Sequence, residues 1–224
     1  MSSFFSNKES KITNSYLQNG YIISKVNNLE SLEWISNFFN ERISKKIKKN
    51  IRGDYFNEIH KYVGLKNLNN FRLEIINDIN KSKSFKKHYY NVAYEYLNVL
   101  VGNELAMQKS INLSIQMPND KSSLLEMHAD TWSGDSPYEI VLWLPLVDCF
   151  KTKSMYILPS DKYELFLKKF KSSYSKKNFD LFKSIKKDLI WLDIKFGEVL
   201  LFNQCLPHGN VVNKENETRW SMNC

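Results

Sequence analysis

The chain has 224 residues, of which 42% are apolar and 25% charged, and it carries a net charge of +8. These proportions fit a globular protein and exclude a largely disordered one. No apolar run reaches the roughly 18 residues of a membrane-spanning helix, and the opening MSSFFSNKES lacks the apolar centre of a signal peptide. The expectation is a soluble cytoplasmic protein forming one domain over residues 1–224. Its three cysteines, Cys149, Cys205 and Cys224, have no CxxC spacing, so free thiols are expected rather than a disulfide framework or a thiolate zinc site.

Gly20 to Val26 (GYIISKV) reads as a short strand. Asn28 then caps a helix whose apolar residues Leu32, Ile35, Phe39 and Ile43 keep helical spacing, with Lys45 to Lys49 as its charged end. Phe56, Ile59 and Val63 predict a short helix. Leu68, Phe71, Ile75 and Ile79 predict another, and Phe85, Tyr89, Val92, Tyr96 and Val99 one longer helix. Residues 1–110 are thus expected to be mainly helical. After Gly102 the period changes. Ile111, Leu113, Ile115 and Met117 alternate with Asn112, Ser114 and Gln116, which predicts a strand with one polar face. Further strands are predicted at Tyr138 to Val147, Ser154 to Leu158, Leu189 to Ile194, Glu198 to Asn203 and Arg219 to Cys224. A helical half followed by short strands predicts an α+β fold whose strands close into a sandwich or barrel.

The charge is unevenly spread. Leu165 to Lys187 holds eight lysines and one acid, whereas Ile111 to Phe150 holds six acids and one lysine. Phe166, Leu167, Phe170, Leu181, Phe182 and Ile185 recur at helical spacing in the basic stretch, so residues 160–187 read as a lysine-rich helical insertion with solvated faces. The chain has only four arginines, and readers of nucleic acid rely on arginine forks. A nucleic-acid partner is not expected.

Of the four histidines, His60 and His88 lie on predicted helices among lysines and tyrosines and read as surface or packing residues. His128 and His208 lie in the strand half. His128-Ala129-Asp130 sets an imidazole and a carboxylate two residues apart, hence on one side of an extended segment. A second imidazole, His208, from a neighbouring strand would complete the set of two His and one carboxylate that holds Fe(II) in non-haem oxygenases. An H-x-D pair is by itself a weak signal. It gains weight from Gly197 to Phe202, a turn and strand leading towards His208, and from Arg219, eleven residues beyond His208. That interval suits a hairpin returning to the same place. Ser221, two residues further on, faces the same way as Arg219. A guanidinium fork and a hydroxyl on a barrel wall suit a carboxylate.

On these residues, the stretch from Ile111 to Cys224 resembles the Fe(II)/2-oxoglutarate dioxygenases, in particular their phytanoyl-CoA-dioxygenase-like branch. The interval from His208 to Arg219 carries the likeness, as do Trp143, fifteen residues after His128, and YLQNGYIISKV ahead of a helix. QMPND, HADTWSGDSPYE, WLPLVDCFKTKSMYILP and FNQCLPHGN resemble oxygenases of bacterial carbohydrate-biosynthesis clusters. The resemblance implies a double-stranded β-helix, the jelly roll of cupin-like proteins, over residues 111–224, with the helices of 1–110 as support. It implies Fe(II) held by His128, Asp130 and His208, with 2-oxoglutarate and O2 as cosubstrates. It further implies that Arg219 holds the distal carboxylate of 2-oxoglutarate, with Ser221, Asn210 and Trp143 as lesser contacts and Gln116 near the keto-acid end. The implied reaction converts 2-oxoglutarate to succinate and CO2 and hydroxylates a substrate. Asp130 favours hydroxylation, because related halogenases carry a small residue there and admit halide. Related proteins usually continue past the point corresponding to Cys224, so a clipped final strand or an absent C-terminal segment is also implied.

Thr131 to Pro137 (TWSGDSP) is polar and turn-rich with one aromatic. Ser133 and Ser136 suit hydrogen bonds to hydroxyls and Trp132 suits a sugar face, with Ser154 and Met155 on the opposite wall. The expected substrate is a sugar or sugar-derived small molecule, or a nucleotide-linked sugar whose phosphate the 165–187 lysines attract. A packed Trp and a solvated lysine face are the plainer readings of the same residues. Two alternatives stay open: the same chemistry on a lipid, amino acid or other metabolite, and a non-catalytic metal-binding or nucleic-acid-binding β protein.

Overall fold

The computed structural model describes residues 4–47, 54–173 and 180–224. It opens with a helix that the apolar pattern did not predict, α1 (Asn7–Asn19), none of whose residues is buried. Its signal is local. The Ser6 hydroxyl accepts from the Glu9 N–H at 3.2 Å, and the Glu9 carboxylate accepts from the Ser6 N–H at 2.7 Å. Gly20 ends α1 at φ +76°, the left-handed conformation that favours glycine, and a Cβ there would press on the Leu206 side chain at 2.4 Å.

Strand β1 (Tyr21–Lys25) follows, then α2 (Leu29–Ile47), whose Ser31 N–H donates to the Asn28 side chain at 2.7 Å. The end of the charged stretch Lys45 to Lys49 lies outside the described residues. The short helix predicted around Ile59 is α3 (Tyr55–Glu58) continued by a 3-10 turn, Ile59–Lys61. Helix α4 (Leu65–Lys81) buries the predicted stripe of Leu68, Phe71, Ile75 and Ile79. The single long helix expected next is two, α5 (Lys83–Asn91) and α6 (Tyr94–Leu100). Asn27 explains the break. Its N–H donates to the Val92 carbonyl at 2.8 Å, and its side chain accepts from the Glu95 N–H at 3.0 Å. These long-range bonds replace those of a continuous helix, with Ala93 at φ −136° between the two.

The second half contains β2 (Asn112–Gln116), β3 (Ile140–Pro145), β4 (Tyr156–Ile157), α7 (Tyr163–Ser173), α8 (Leu181–Ile185), β5 (Ile190–Trp191), β6 (Glu198–Asn203), β7 (His208–Gly209) and β8 (Arg219–Asn223). The lysine-rich insertion is therefore helical where described, and residues 174–179 of it lie outside the described residues. The expected strand from Tyr138 starts later, because Tyr138 is 92% exposed. An antiparallel sheet runs β1-β6-β3-β8-β2, and a smaller one runs β5-β4-β7. The fold is α+β, as the change of period predicted.

The larger sheet has two differently occupied faces. Leu113, Ile115, Leu142, Leu144, Leu201, Trp220 and Met222 pack on the helices. The fully buried Trp220 ring meets Phe39, Phe56 and Phe71 edge-on. Trp143, Val141, Leu200 and Phe202 form the other face and pack with Met155 and Ile157 at the smaller sheet. The polar residues of β2 and β8 alternate with the helix-facing set, so they too look away from the helices. That polar face is not solvated: Gln116, Arg219 and Ser221 are all buried. Among the described residues, no helix is long and apolar enough to cross a membrane.

Candidate metal and carboxylate site

His128 and His208 are brought together by a narrow antiparallel bridge. The His128 N–H donates to the His208 carbonyl at 2.9 Å, and the His208 N–H donates to the His128 carbonyl at 2.8 Å. Ala129 is extended, at φ −120° and ψ 138°, which returns Asp130 to the side of His128. The Asp130 N–H is held by the Gln204 carbonyl at 3.1 Å. Asp130 Oδ1 then lies 3.4 Å from His128 Nε2 and 3.8 Å from His208 Nε2. One donor atom from each of the three residues falls within 4.8 Å of the others.

Each imidazole is oriented by its own backbone. His128 Nδ1 lies 2.8 Å from the Glu126 carbonyl, and His208 Nδ1 lies 2.9 Å from the Leu206 carbonyl. A carbonyl accepts only, so each Nδ1 carries a proton and each Nε2 is the nitrogen turned to the shared point, where a metal would displace any proton it holds. The hydrogen bond to Asp130 raises the His128 pKa, against the effect of burial. Burial first, and then the nearness of His128, push His208 down to about 4. His208 is therefore a neutral donor at neutral pH, the form a metal requires.

Gly209 was not singled out by the sequence, and it underlies this arrangement. A Cβ there would stand 2.6 Å from the Tyr156 hydroxyl, 2.9 Å from the Leu125 carbonyl and 3.0 Å from the Glu126 carbonyl. The last of these is the acceptor that orients His128. Gly209→Ala is expected to push the 125–126 segment away and weaken divalent-metal affinity roughly 10- to 100-fold, the usual cost of losing an outer support. Metal titration of the folded variant checks this, and unchanged affinity would show that the close approach is not needed.

A second polar group occupies the same inner face. Arg219 lies opposite Gln116 in the β2–β8 register, and Ser221 lies opposite Ser114. The Arg219 guanidinium donates to the Ser154 carbonyl at 3.3 Å and to the Ser114 hydroxyl at 3.0 Å. Among the described residues, no carboxylate pairs with it, and burial lowers its pKa from the ordinary value. Four buried polar atoms here have no hydrogen-bond partner: Arg219 Nε, Ser154 Oγ, Ser221 Oγ and Gln116 Oε1. An unpaired buried cation with idle donors beside it is costly, and an anionic ligand removes that cost.

The other sequence-predicted residues are placed as follows. Gln116 donates one Nε2 hydrogen to the Val211 carbonyl at 2.7 Å, while its Oε1 has no partner. Asn210 spends its amide on the 123–125 segment, accepting from the Leu125 N–H at 2.8 Å. Trp143 and Met155 are buried in the inner apolar cluster. Trp132 is 46% exposed and lies parallel to Phe166 and Phe170 of α7, at 6.3 and 5.8 Å. Ser133 is exposed, and the Ser136 carbonyl accepts from Gln204 Nε2. Ser114 was missed as a contact, although its place on the polar face of β2 marked it. His60 and His88 are indeed packing residues, bound to Thr218 and Ser31 respectively. All three cysteines are free. Two open clefts, of about 520 and 390 Å³, lie elsewhere and contain none of the triad.

No protein-family model matches the sequence, and no curated protein matches it. Solved structures do share the fold. EvdMO1 superposes with a TM-score of 0.59 at 14% identity, covering 96% of this chain and 49% of its own. The nickel complex of the non-heme monooxygenase ThoJ gives 0.54 at 12% identity, covering 95% and 76%. SnoN, a non-heme alpha ketoglutarate dependent epimerase from nogalamycin biosynthesis, gives 0.57 at 12% identity, covering 96% and 81%. SnoN has also been solved with Fe3+, alpha ketoglutarate and nogalamycin RO. The chain thus spans about half the length of EvdMO1 and most of the other two.

Proposed function

We propose that this protein is an Fe(II)/2-oxoglutarate-dependent oxygenase acting on a small molecule, and that its two sheets are the faces of a double-stranded β-helix. One observation carries the reading: a His-Asp-His set and an unpaired buried arginine, both built into the strand half. A facial set of two imidazoles and one carboxylate leaves positions for other ligands, which suits Fe(II). The donors fit the ion in kind, since each imidazole turns its Nε2 to the shared point and Asp130 brings negative charge. In this reading His128, Asp130 and His208 hold the iron. Arg219, with the Ser154 and Ser221 hydroxyls, supplies the donors a carboxylate of 2-oxoglutarate needs. Gln116, opposite Arg219 in register and with an idle Oε1, remains the residue proposed near the keto-acid end of 2-oxoglutarate. Asn210 acts through the 123–125 segment, fixing the arm that carries His128. The iron and 2-oxoglutarate, when bound, supply the oxidising chemistry by activating O2 as the cosubstrate loses CO2.

The buried inner face excludes water around Arg219, which strengthens each of its hydrogen bonds. Asp130 favours hydroxylation, because it keeps an iron position that halide would otherwise take. A sugar or nucleotide-linked sugar remains the proposed substrate, met by the exposed part of Trp132 and by Ser133 and Ser136. Neighbours that act in natural-product biosynthesis support a small-molecule substrate of this kind. The test is an anaerobic titration of metal-free protein with Fe(II) and 2-oxoglutarate, followed by visible absorption. A charge-transfer band that needs both additions is expected. No band in folded protein would bring the non-catalytic metal-binding reading forward.

A further inference from the structure

We infer that Asn213 is a positioning residue for Arg219, setting the guanidinium before any carboxylate arrives; this rests on the pocket reading above. Strand β8 begins at Arg219, so Arg219 stands at a strand end with no ladder beyond it. The connector from β7 is irregular, and among the described residues no carboxylate fixes the buried cation at its end. Asn213 makes up for the missing ladder. It is 0% exposed, and all of its side-chain bonds go to the main chain. Its Nδ2 donates to the Glu217 carbonyl at 2.7 Å and to the Gln116 carbonyl at 3.3 Å. Its Oδ1 accepts from the Glu215 N–H at 3.0 Å.

Those bonds join the residue facing Arg219 across the strands to the residue two before it. The same stretch is held from behind. Lys153 Nζ, itself fully buried, donates to Glu217 at 2.6 Å, and the Thr218 N–H donates to the Asn57 carbonyl at 2.8 Å. The chemistry requires asparagine. Aspartate has its shape but no donor, and would set a carboxylate against two carbonyl oxygens. Small displacements of a positioning group cost binding steeply, so the effect should appear in the anion and not in the metal.

The test uses Asn213→Asp and Asn213→Ala in the full chain, with Fe(II) and 2-oxoglutarate affinities measured separately by anaerobic calorimetry. The 2-oxoglutarate Kd is expected to rise about tenfold, and the Fe(II) Kd to stay within about threefold. In the unaltered protein, amide exchange at Glu215 and Thr218 should be as slow before 2-oxoglutarate is added as after. An unchanged 2-oxoglutarate Kd in a folded variant would overturn the inference, as would equal losses of both affinities. Fast exchange that slows only with ligand would overturn it too, and that measurement needs no variant to fold. A parent protein that takes up no 2-oxoglutarate instead overturns the pocket reading, which separates the two failures.

Discussion

The His208→Ala protein is expected to lose at least about 100-fold in Fe(II) affinity while remaining folded, because a ligand costs more than an outer support. The argument lies in the geometry. His208 Nε2 is 3.8 Å from Asp130, its proton is fixed on Nδ1, and its burial keeps it neutral. Removing it leaves one imidazole and one carboxylate, too few for a facial site. The fold should survive, because the bridge to His128 is made by main-chain groups that alanine retains. The lost bond to the Leu206 carbonyl costs only about 1 kcal/mol. Asp130→Ala should lose metal as well, together with the partner that raises His128. His88→Ala is the control, since that ring is stacked on Trp34 and bonded to Ser31. Metal titration with visible absorption distinguishes the variants. Tight Fe(II) binding by folded His208→Ala would remove the triad from the proposal.

Arg219→Met separates the cosubstrate from the metal. The 2-oxoglutarate Kd should rise more than about 100-fold, as expected when the charged half of a buried pair is removed. Fe(II) affinity should be retained, because Arg219 supports none of the three metal donors. Stability gives an independent readout. At 2-oxoglutarate concentrations about 100-fold above Kd, ligand binding stabilises the parent protein by about 2.7 kcal/mol. The variant, with its Kd raised past that concentration, should gain less than about 0.4 kcal/mol. Without ligand, the variant should be as stable as the parent, since it gives up a buried cation that lacks a carboxylate partner. Denaturation with and without 2-oxoglutarate, in metal-loaded protein, checks both statements. A ligand-induced gain in Arg219→Met equal to that of the parent would place the carboxylate elsewhere.

Much of the fold was legible because its elements bury simple periodic stripes. Helix α4 and strand β6 show this, the one with helical spacing and the other with a run of apolar residues. Helix α1 was not legible by the same rule, since it buries nothing and is held by its Ser6–Glu9 cap. The separation of α5 from α6 was hidden for a different reason. Asn27, far away in sequence, supplies the hydrogen bonds that make the break stable.

The candidate site divides in the same way. Sequence alone was enough to nominate His128, Asp130, His208, Arg219 and Ser221, because two-residue periodicity sets sidedness and residue type sets donor chemistry. Only the tertiary structure decided which donors are idle. It showed that Asn210 and Asn213 spend their amides on main chain, that Gln116 keeps an idle oxygen, and that among the described residues the buried Arg219 has no carboxylate partner. It also revealed the space that Gly209 must leave for the His128 arm. The physical reason is one of range. Period and donor type are properties of a short segment, whereas burial and hydrogen-bond pairing depend on which distant strand lies opposite in register.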